Sequence, residues 1–171
     1  MNYKFKVLII SSTILNLQLK FKNFTTMTIK ELKTIDEMLE HLSVMQELYP
    51  TLTPTQYHEM LSDMIPNNYG QIAVFTEGKC VGISGYWIGT KLWCGKYLEL
   101  DNVIISEKYR SKGIGKILSD YLEKKAHLNN CTIQVLDAYT SNFKAHRFYY
   151  NQGFSPKGFH FVKIIDKNGI R

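Results

Sequence analysis

Tyr109-Arg110-Ser111-Lys112-Gly113-Ile114-Gly115-Lys116 is the stretch on which the organisation of this chain turns. It follows an apolar run, Val103-Ile104-Ile105, and precedes an amphipathic stretch over residues 117–128. The order reads as strand, glycine-bearing turn, helix. Such a turn leaves the first N–H groups of the helix without backbone acceptors, and the helix dipole adds partial positive charge there. Gly113 and Gly115 let the backbone approach a ligand closely. Arg110, Lys112 and Lys116 add full charges. The turn suits an anion, above all a phosphate or diphosphate.

Glycine spacing excludes two nucleotide-binding classes. A P-loop needs G-x-x-x-x-G-K-[ST], but these glycines are two apart and Ile117 follows the lysine. A dinucleotide fingerprint needs G-x-G-x-x-G, but Leu118 takes the third glycine position. Taken alone, G-x-G at this junction is also compatible with a plain tight turn.

Periodicity supplies the frame. Residues 28–32 alternate apolar and polar, as a half-buried strand does. Ile35, Met38, Leu39, Leu42, Met45 and Leu48 recur at helical spacing, with Thr34 or Asp36 as the cap. Pro50 ends that helix, and Thr53-Pro54 opens a second, short one toward Ile65. Residues 71–75 and 81–88 read as strands joined at Glu77-Gly78-Lys79, with the next turn at Gly89-Thr90-Lys91. Residues 97–105 form a long strand. Ile114, Ile117, Leu118, Tyr121 and Leu122 then carry a helical stripe. Residues 132–136 read as a buried strand, 142–151 as a helix and 159–165 as a closing strand. A crossover through the helix after Gly115 makes its flanking strands parallel. The class is α/β: a mixed sheet flanked by helices.

Two motifs give the frame a family resemblance. Arg110-Ser111-Lys112-Gly113-Ile114-Gly115 resembles the [RQ]-x-x-G-x-[GA] motif of the GNAT acetyltransferase superfamily. Ser141-Asn142, Tyr149 and Gly153-Phe154 resemble its second signature, S-N-x(6)-Y-x(3)-G-F. The resemblance covers residues 27–165. It implies a mixed, mostly antiparallel twisted sheet of six to seven strands with about four helices. It also implies an acetyl-CoA-dependent N-acetyltransferase acting on a primary amine by direct attack in a ternary complex. The alternative is a non-catalytic acyl-CoA-binding regulatory module of the same fold. On that resemblance, main-chain groups of Val103, Ile104 and Ile105 bind the pantetheine arm. Arg110, Ser111, Lys112, Gly113, Ile114, Gly115 and Lys116 hold the diphosphate, and Asn142 contacts the pantetheine as well as capping its helix. Tyr149 protonates the departing thiolate; a phenol with pKa near 10 stays protonated at neutral pH.

Acetylating an amine also needs a base. Glu99 and Asp101 are two apart on one strand and face the same side. Glu99 matches the position of the general base in some histone-acetylating relatives. Asp137 matches an acidic position in ribosomal-protein acetyltransferases. A water relay without one dominant acid is the remaining choice. Burial or a like charge must raise the pKa of a base carboxylate, and a Glu99–Asp101 pair would supply repulsion. Tyr49, Tyr57, Tyr69, Tyr86, Trp87 and Trp93 are aromatic candidates for an acceptor wall that attracts an ammonium.

The chain has 171 residues, the length of one domain. Three cysteines without metal-ligand spacing argue against a disulfide framework or metal centre and fit reduced thiols in the cytoplasm. The net charge is +6, but Lys4, Lys6, Lys20 and Lys22 account for +4 of it. The remainder has no basic stripe with interleaved aromatics, so a nucleic-acid partner is not expected. Residues 7–19 are too short and too polar to span a membrane. Residues 1–26 read as an extension before a domain at 27–171, with Met27 as the native start. A monomer and a homodimer are both open.

Overall fold

Alternating apolar side chains bring five strands into one sheet. The structure, a computed structural model, describes residues 26–167. The extension expected at residues 1–26 lies outside them apart from Thr26. Strand β1 is Met27–Leu32, followed by helices α1 (Ile35–Leu39), α2 (Leu42–Met45) and α3 (Pro54–Met64). Strands β2 (Tyr69–Thr76), β3 (Lys79–Lys91) and β4 (Gly95–Ile105) form a meander. Helix α4 (Ile114–Leu128) crosses to β5 (Ile133–Leu136), and α5 (Phe143–Asn151) follows. The sheet order is β1-β2-β3-β4-β5, antiparallel except for the parallel β4–β5 pair.

Local chemistry sets these boundaries. Thr34 accepts from the Glu37 N–H, and the Glu37 carboxylate accepts from the Thr34 N–H, a reciprocal cap on α1. Thr53 and Gln56 repeat the device on α3, with Pro54 in the first turn. The single helix expected over residues 35–48 is two. The break falls at His41, whose φ of −111° and ψ of 17° leave the helix. Its ring meets Phe75 edge-on at 5.2 Å.

Two further expectations are corrected. Gly89 does not turn the chain, because β3 runs on to Lys91. Gly89 pairs with Tyr97, and a Cβ on it would sit 2.7 Å from the Tyr97 hydroxyl oxygen. The glycine is a seat for a cross-strand ring. Gly70 seats Tyr86 in the same way, and Gly85 seats Tyr69. The closing strand expected at residues 159–165 is neither strand nor helix. Among the described residues the sheet therefore has five strands where six or seven were expected, and β5 is its edge. With no neighbour beyond it, β5 is half-buried rather than buried.

The sheet separates two cores. On one face Met38, Val44, Met45, Tyr57 and Leu61 of α1–α3 pack on Tyr69, Ala73, Ile83 and Ile104. On the other, Ile114, Leu118, Leu122 and Ala126 of α4 pack on Ile72, Val74, Leu98 and Leu100. The change from Leu98 and Leu100 to Ile104 keeps even numbering but switches faces. A bulge causes it. Pairing with β3 skips between Ile83/Ile104 and Gly85/Asp101, and Asn102 takes a left-handed φ of 51°. Asparagine tolerates that conformation better than most residues.

Helix α4 lies close to the sheet because Gly82 lacks a side chain. A Cβ there would sit 2.7 Å from Ile114 Cγ2 and 3.2 Å from the Ile104 carbonyl oxygen. Gly82→Val is expected to lower stability by about 1–3 kcal/mol through overpacking. Urea denaturation measures it; an unchanged midpoint would contradict this account of the α4 seat.

Candidate active site

The turn before α4 leaves its backbone donors free. Glu107–Tyr109 is a 3-10 turn in which the Tyr109 N–H donates to Ser106 O at 2.8 Å. Ser111 (φ 62°) and Gly113 (φ 85°) are left-handed. Helical bonding resumes where the Ile117 N–H reaches Gly113 O at 3.2 Å. From residue 111 to 116 no backbone N–H has an acceptor among the described residues. The two glycines divide the work. Gly113 is needed for its positive φ. Gly115 is needed for space: a Cβ would meet the Phe148 ring at 3.0 Å. That contact brings α5 against the start of α4, and Tyr149 comes with it.

The expected cations are present, each with a partner. Arg110 Nε donates to Ile105 O at 3.2 Å, and its guanidinium lies 3.9 Å from Glu47. Lys112 lies over the Tyr109 ring at 4.9 Å. Lys116 bonds both carboxylate oxygens of Asp120, at 2.7 and 2.8 Å. These pairs are exposed, so they shape the turn without greatly stabilising it.

Beside the turn, β4 and β5 part. Their ladder runs from Tyr97/Ile133 to Leu100/Leu136 and stops. The bulge at Asn102 follows at once. Beyond it Ile104 and Ile105 stay paired with Ile83 and Gly82 of β3. Ile104 and Ile105 thus have strand neighbours on one side only, Val103 lies in the bulge with no partner in the ladder, and the other edge faces a fork.

Three carboxylates gather at this fork. Glu99 lies across β3 from Trp87 and beside Val135 of β5. Asp101 accepts from Trp87 Nε1 at 3.0 Å. Asp137 lies just past β5, 2.7 Å from His160 Nδ1. Burial pushes the Glu99 carboxyl above its ordinary value; Lys91 opposes this, and Asp137 and Asp101 add to it. Burial also raises Asp101, against the Trp87 hydrogen bond. Glu99 has no hydrogen bond to the described residues. The paired-carboxylate reasoning identified the right neighbours, but burial outweighs repulsion.

Tyr149 is half-buried between Phe148 and Phe154, with ring centroids 5.2 and 5.8 Å away. Burial pushes its phenol above the usual value. Its hydroxyl has no partner among the described residues. Asn142 Oδ1 accepts from the Ala145 N–H at 3.2 Å, the expected cap. Tyr150 is exposed, as its position next to Tyr149 on the helix requires.

The six aromatic candidates do not form one wall. Gln71 binds Tyr57 and Tyr69 in a buried network, with Nε2 donating to the two hydroxyls at 2.7 and 2.8 Å. Burial raises both phenols, that of Tyr57 to about 12. Tyr86 lies on the α4 face under Lys125, and Trp93 projects from the β3–β4 turn, 70% exposed. Tyr49 and Trp87 remain by the fork, bonded to Asn102 and Asp101. Sequence reasoning missed Glu47, Asn102 and His160. Glu47 Oε2 accepts the Glu107 N–H at 3.0 Å, so the chain after α2 holds both the bulge and the turn. Only Asn102, a polar residue interrupting an apolar strand, left a trace in the sequence.

No described helix is long and apolar enough to cross a membrane. Among the described residues no cluster of His, Cys, Asp or Glu could hold a metal ion. The three cysteines are free, and burial raises the Cys80 thiol to about 11.

Comparison with known proteins adds to this geometry. The profile of the acetyltransferase (GNAT) family matches residues 35–154. A Bacillus subtilis (strain 168) protein named uncharacterized N-acetyltransferase YhdJ is 26% identical over 138 residues, covering 80% of this chain and 97% of that one. Glucosamine-6-phosphate N-acetyltransferase from Arabidopsis thaliana superposes with a TM-score of 0.67 at 20% identity, over 82% of this chain and 99% of that one. Aminoglycoside N-acetyltransferase AAC(6')-Iy, solved in complex with CoA, superposes with a TM-score of 0.72 at 15% identity, over 82% and 96%. The structural likenesses establish the fold, and the profile match extends over most of the chain: this protein is a member of the acetyltransferase (GNAT) family.

Proposed function

We propose that this protein transfers an acetyl group from acetyl-CoA to a primary amine by direct attack while both are bound. The observation that carries the reading is the run of free N–H groups at residues 111–116, set beside the one-sided edge of β4. A diphosphate matches the first feature, because six unbonded donors lie at a helix N-terminus. An extended amide arm matches the second, since it can pair with main-chain groups of Val103, Ile104 and Ile105 as a strand would. Arg110, Ser111, Lys112, Gly113, Ile114, Gly115 and Lys116 hold the phosphates. Asn142 caps α5 beside the arm.

The coenzyme supplies an acyl thioester, with the thiolate as leaving group. Tyr149 donates its phenolic proton to that sulfur. Its raised pKa and its unengaged hydroxyl suit the role. Glu99 takes one proton from the acceptor ammonium, which frees the nitrogen lone pair to form the new N–C bond; the C–S bond then breaks, and the second nitrogen proton restores the Tyr149 phenol by way of solvent. Among the carboxylates Glu99 is preferred because Asp101 is bonded to Trp87 and Asp137 to His160. Holding the two reactants together supplies several kcal/mol of the barrier.

Thiol release from acetyl-CoA across a panel of primary amines tests the reading. No release with any amine, or no acetyl-CoA binding, would overturn it. Tyr149→Phe is expected to lower kcat by about 10²-fold with little change in the KM for acetyl-CoA. Full turnover in that variant would remove the tyrosine from the mechanism.

The raised pKa of Glu99 gives two signed expectations. First, kcat/KM rises with pH through a value above 4.5, and Glu99→Gln lowers the rate and abolishes that limb. Second, the folded state binds the Glu99 proton more tightly than the unfolded chain does. Its stabilising effect is complete below 4.5 and is lost as pH rises through the raised value. Glu99→Gln should therefore raise the thermal midpoint at neutral pH while activity falls. A lowered midpoint would show that ionised Glu99 is not under a burial penalty.

A further inference from the structure

The residues just before the free donors are tied down at few points. The Ser106 N–H bonds Val81 O at 3.0 Å, the last link to the sheet. The Tyr109 N–H then bonds Ser106 O, the Arg110 N–H bonds Glu107 O, and Arg110 Nε bonds Ile105 O. Those last three stay within residues 105–110. Among the described residues one hydrogen bond reaches residues 107–110 from elsewhere in the chain: the Glu107 N–H donates to Glu47 Oε2 at 3.0 Å. That N–H opens a 3-10 turn, where no main-chain oxygen of the turn is placed to accept it.

The chain around Glu47 is itself held. Gln46 Nε2 donates to Leu52 O at 2.9 Å, and the Tyr49 N–H donates to Met45 O at 2.9 Å. The Tyr49 hydroxyl bonds Asn102. The Glu47 carboxylate meets the turn across a cleft of about 470 Å³, lined on the far side by Ser106, Glu107, Lys108, Tyr109 and Arg110. With a cleft in place of packing, the tie rests on this one side chain.

The carboxylate has two effects of opposite sign beside an anion site. As an acceptor it fixes the start of the turn, so the N–H groups at 111–116 need less ordering when a phosphate arrives. As a charge it repels that phosphate and competes for the Arg110 guanidinium, 3.9 Å away. That ion pair is exposed and too long for a hydrogen bond, so it adds little hold of its own.

We propose that Glu47 is a positioning residue for the coenzyme: its carboxylate oxygen holds the Glu107 N–H and so pre-sets the phosphate-binding turn, while its charge works against binding. The inference rests on the acetyl-CoA reading above.

Calorimetric titration of acetyl-CoA into the full chain and two variants tests it. Glu47→Ala removes acceptor and charge together. It is expected to weaken binding about tenfold and to raise the KM for acetyl-CoA to match, with kcat at saturation little changed. Glu47→Gln keeps an acceptor oxygen and removes only the charge, so it is expected to bind at least as tightly as the wild type. A Glu47→Ala protein that binds like the wild type, or a Glu47→Gln protein that binds more weakly than the wild type, overturns the proposal. A wild type that does not bind acetyl-CoA overturns the acetyl-transfer reading and this inference with it; failure confined to the variants overturns this inference alone. Hydrogen exchange checks the hold without coenzyme. The Glu107 amide should exchange faster in Glu47→Ala than in the wild type or Glu47→Gln, and equal exchange in all three overturns the hold.

Discussion

A single break in register at Asn102 organises everything that follows it in the chain. Up to Leu100, β4 keeps a neighbour on each side. The left-handed residue at 102 then turns the strand over. Ile104 enters the core beneath α1–α3, and the ladder to β5 ends. The same bulge creates the fork, exposes one edge of residues 103–105 and sets the direction in which the chain enters the turn before α4. Its conformation is held from outside, by the Tyr49 hydroxyl on the Asn102 side-chain oxygen. Glu47, two residues earlier, takes the N–H of Glu107 and so fixes the turn as well. The segment after α2, on one side of the sheet, thereby holds the turn that opens α4 on the other.

Much of this was legible in the sequence, and the rest was hidden for identifiable reasons. The strand–turn–helix at residue 113 could be read because glycine, a charge cluster and a helical stripe agree there. The parity change could not, because Val103-Ile104-Ile105 is apolar at every position and matches either face. Gly89 resembled a turn because a ring on the next strand, eight residues away, leaves no local trace. The space that Gly115 leaves for Phe148 was hidden for a similar reason, since that ring comes from a distant helix. Glu47 and His160 act on segments 60 and 23 residues distant, beyond any periodicity. The alternation at 159–165 was visible, but a strand also needs a partner to pair with.

The electrostatics of the fork reflect competition between burial and pairing. Asp101 and Asp137 each have a compensating neighbour, in the Trp87 indole and the His160 imidazole. Glu99 has only the more distant fields of Lys91 and His160. A carboxylate left short of partners binds its proton more tightly, which is costly for folding and useful for proton transfer. Tyr149 follows the same rule from the acid side, since the apolar rings that surround it offer its hydroxyl nothing to bond.

The seating of Tyr86, Tyr69 and Tyr97 on Gly70, Gly85 and Gly89 has a consequence for how this sheet can diverge over generations. Neither member of a couple is free to drift alone. Any side chain at the glycine collides with the ring, and a shrunken ring uncovers bare backbone. Descendants of this chain should keep or exchange these residues two at a time, so that six positions carry only three independent choices.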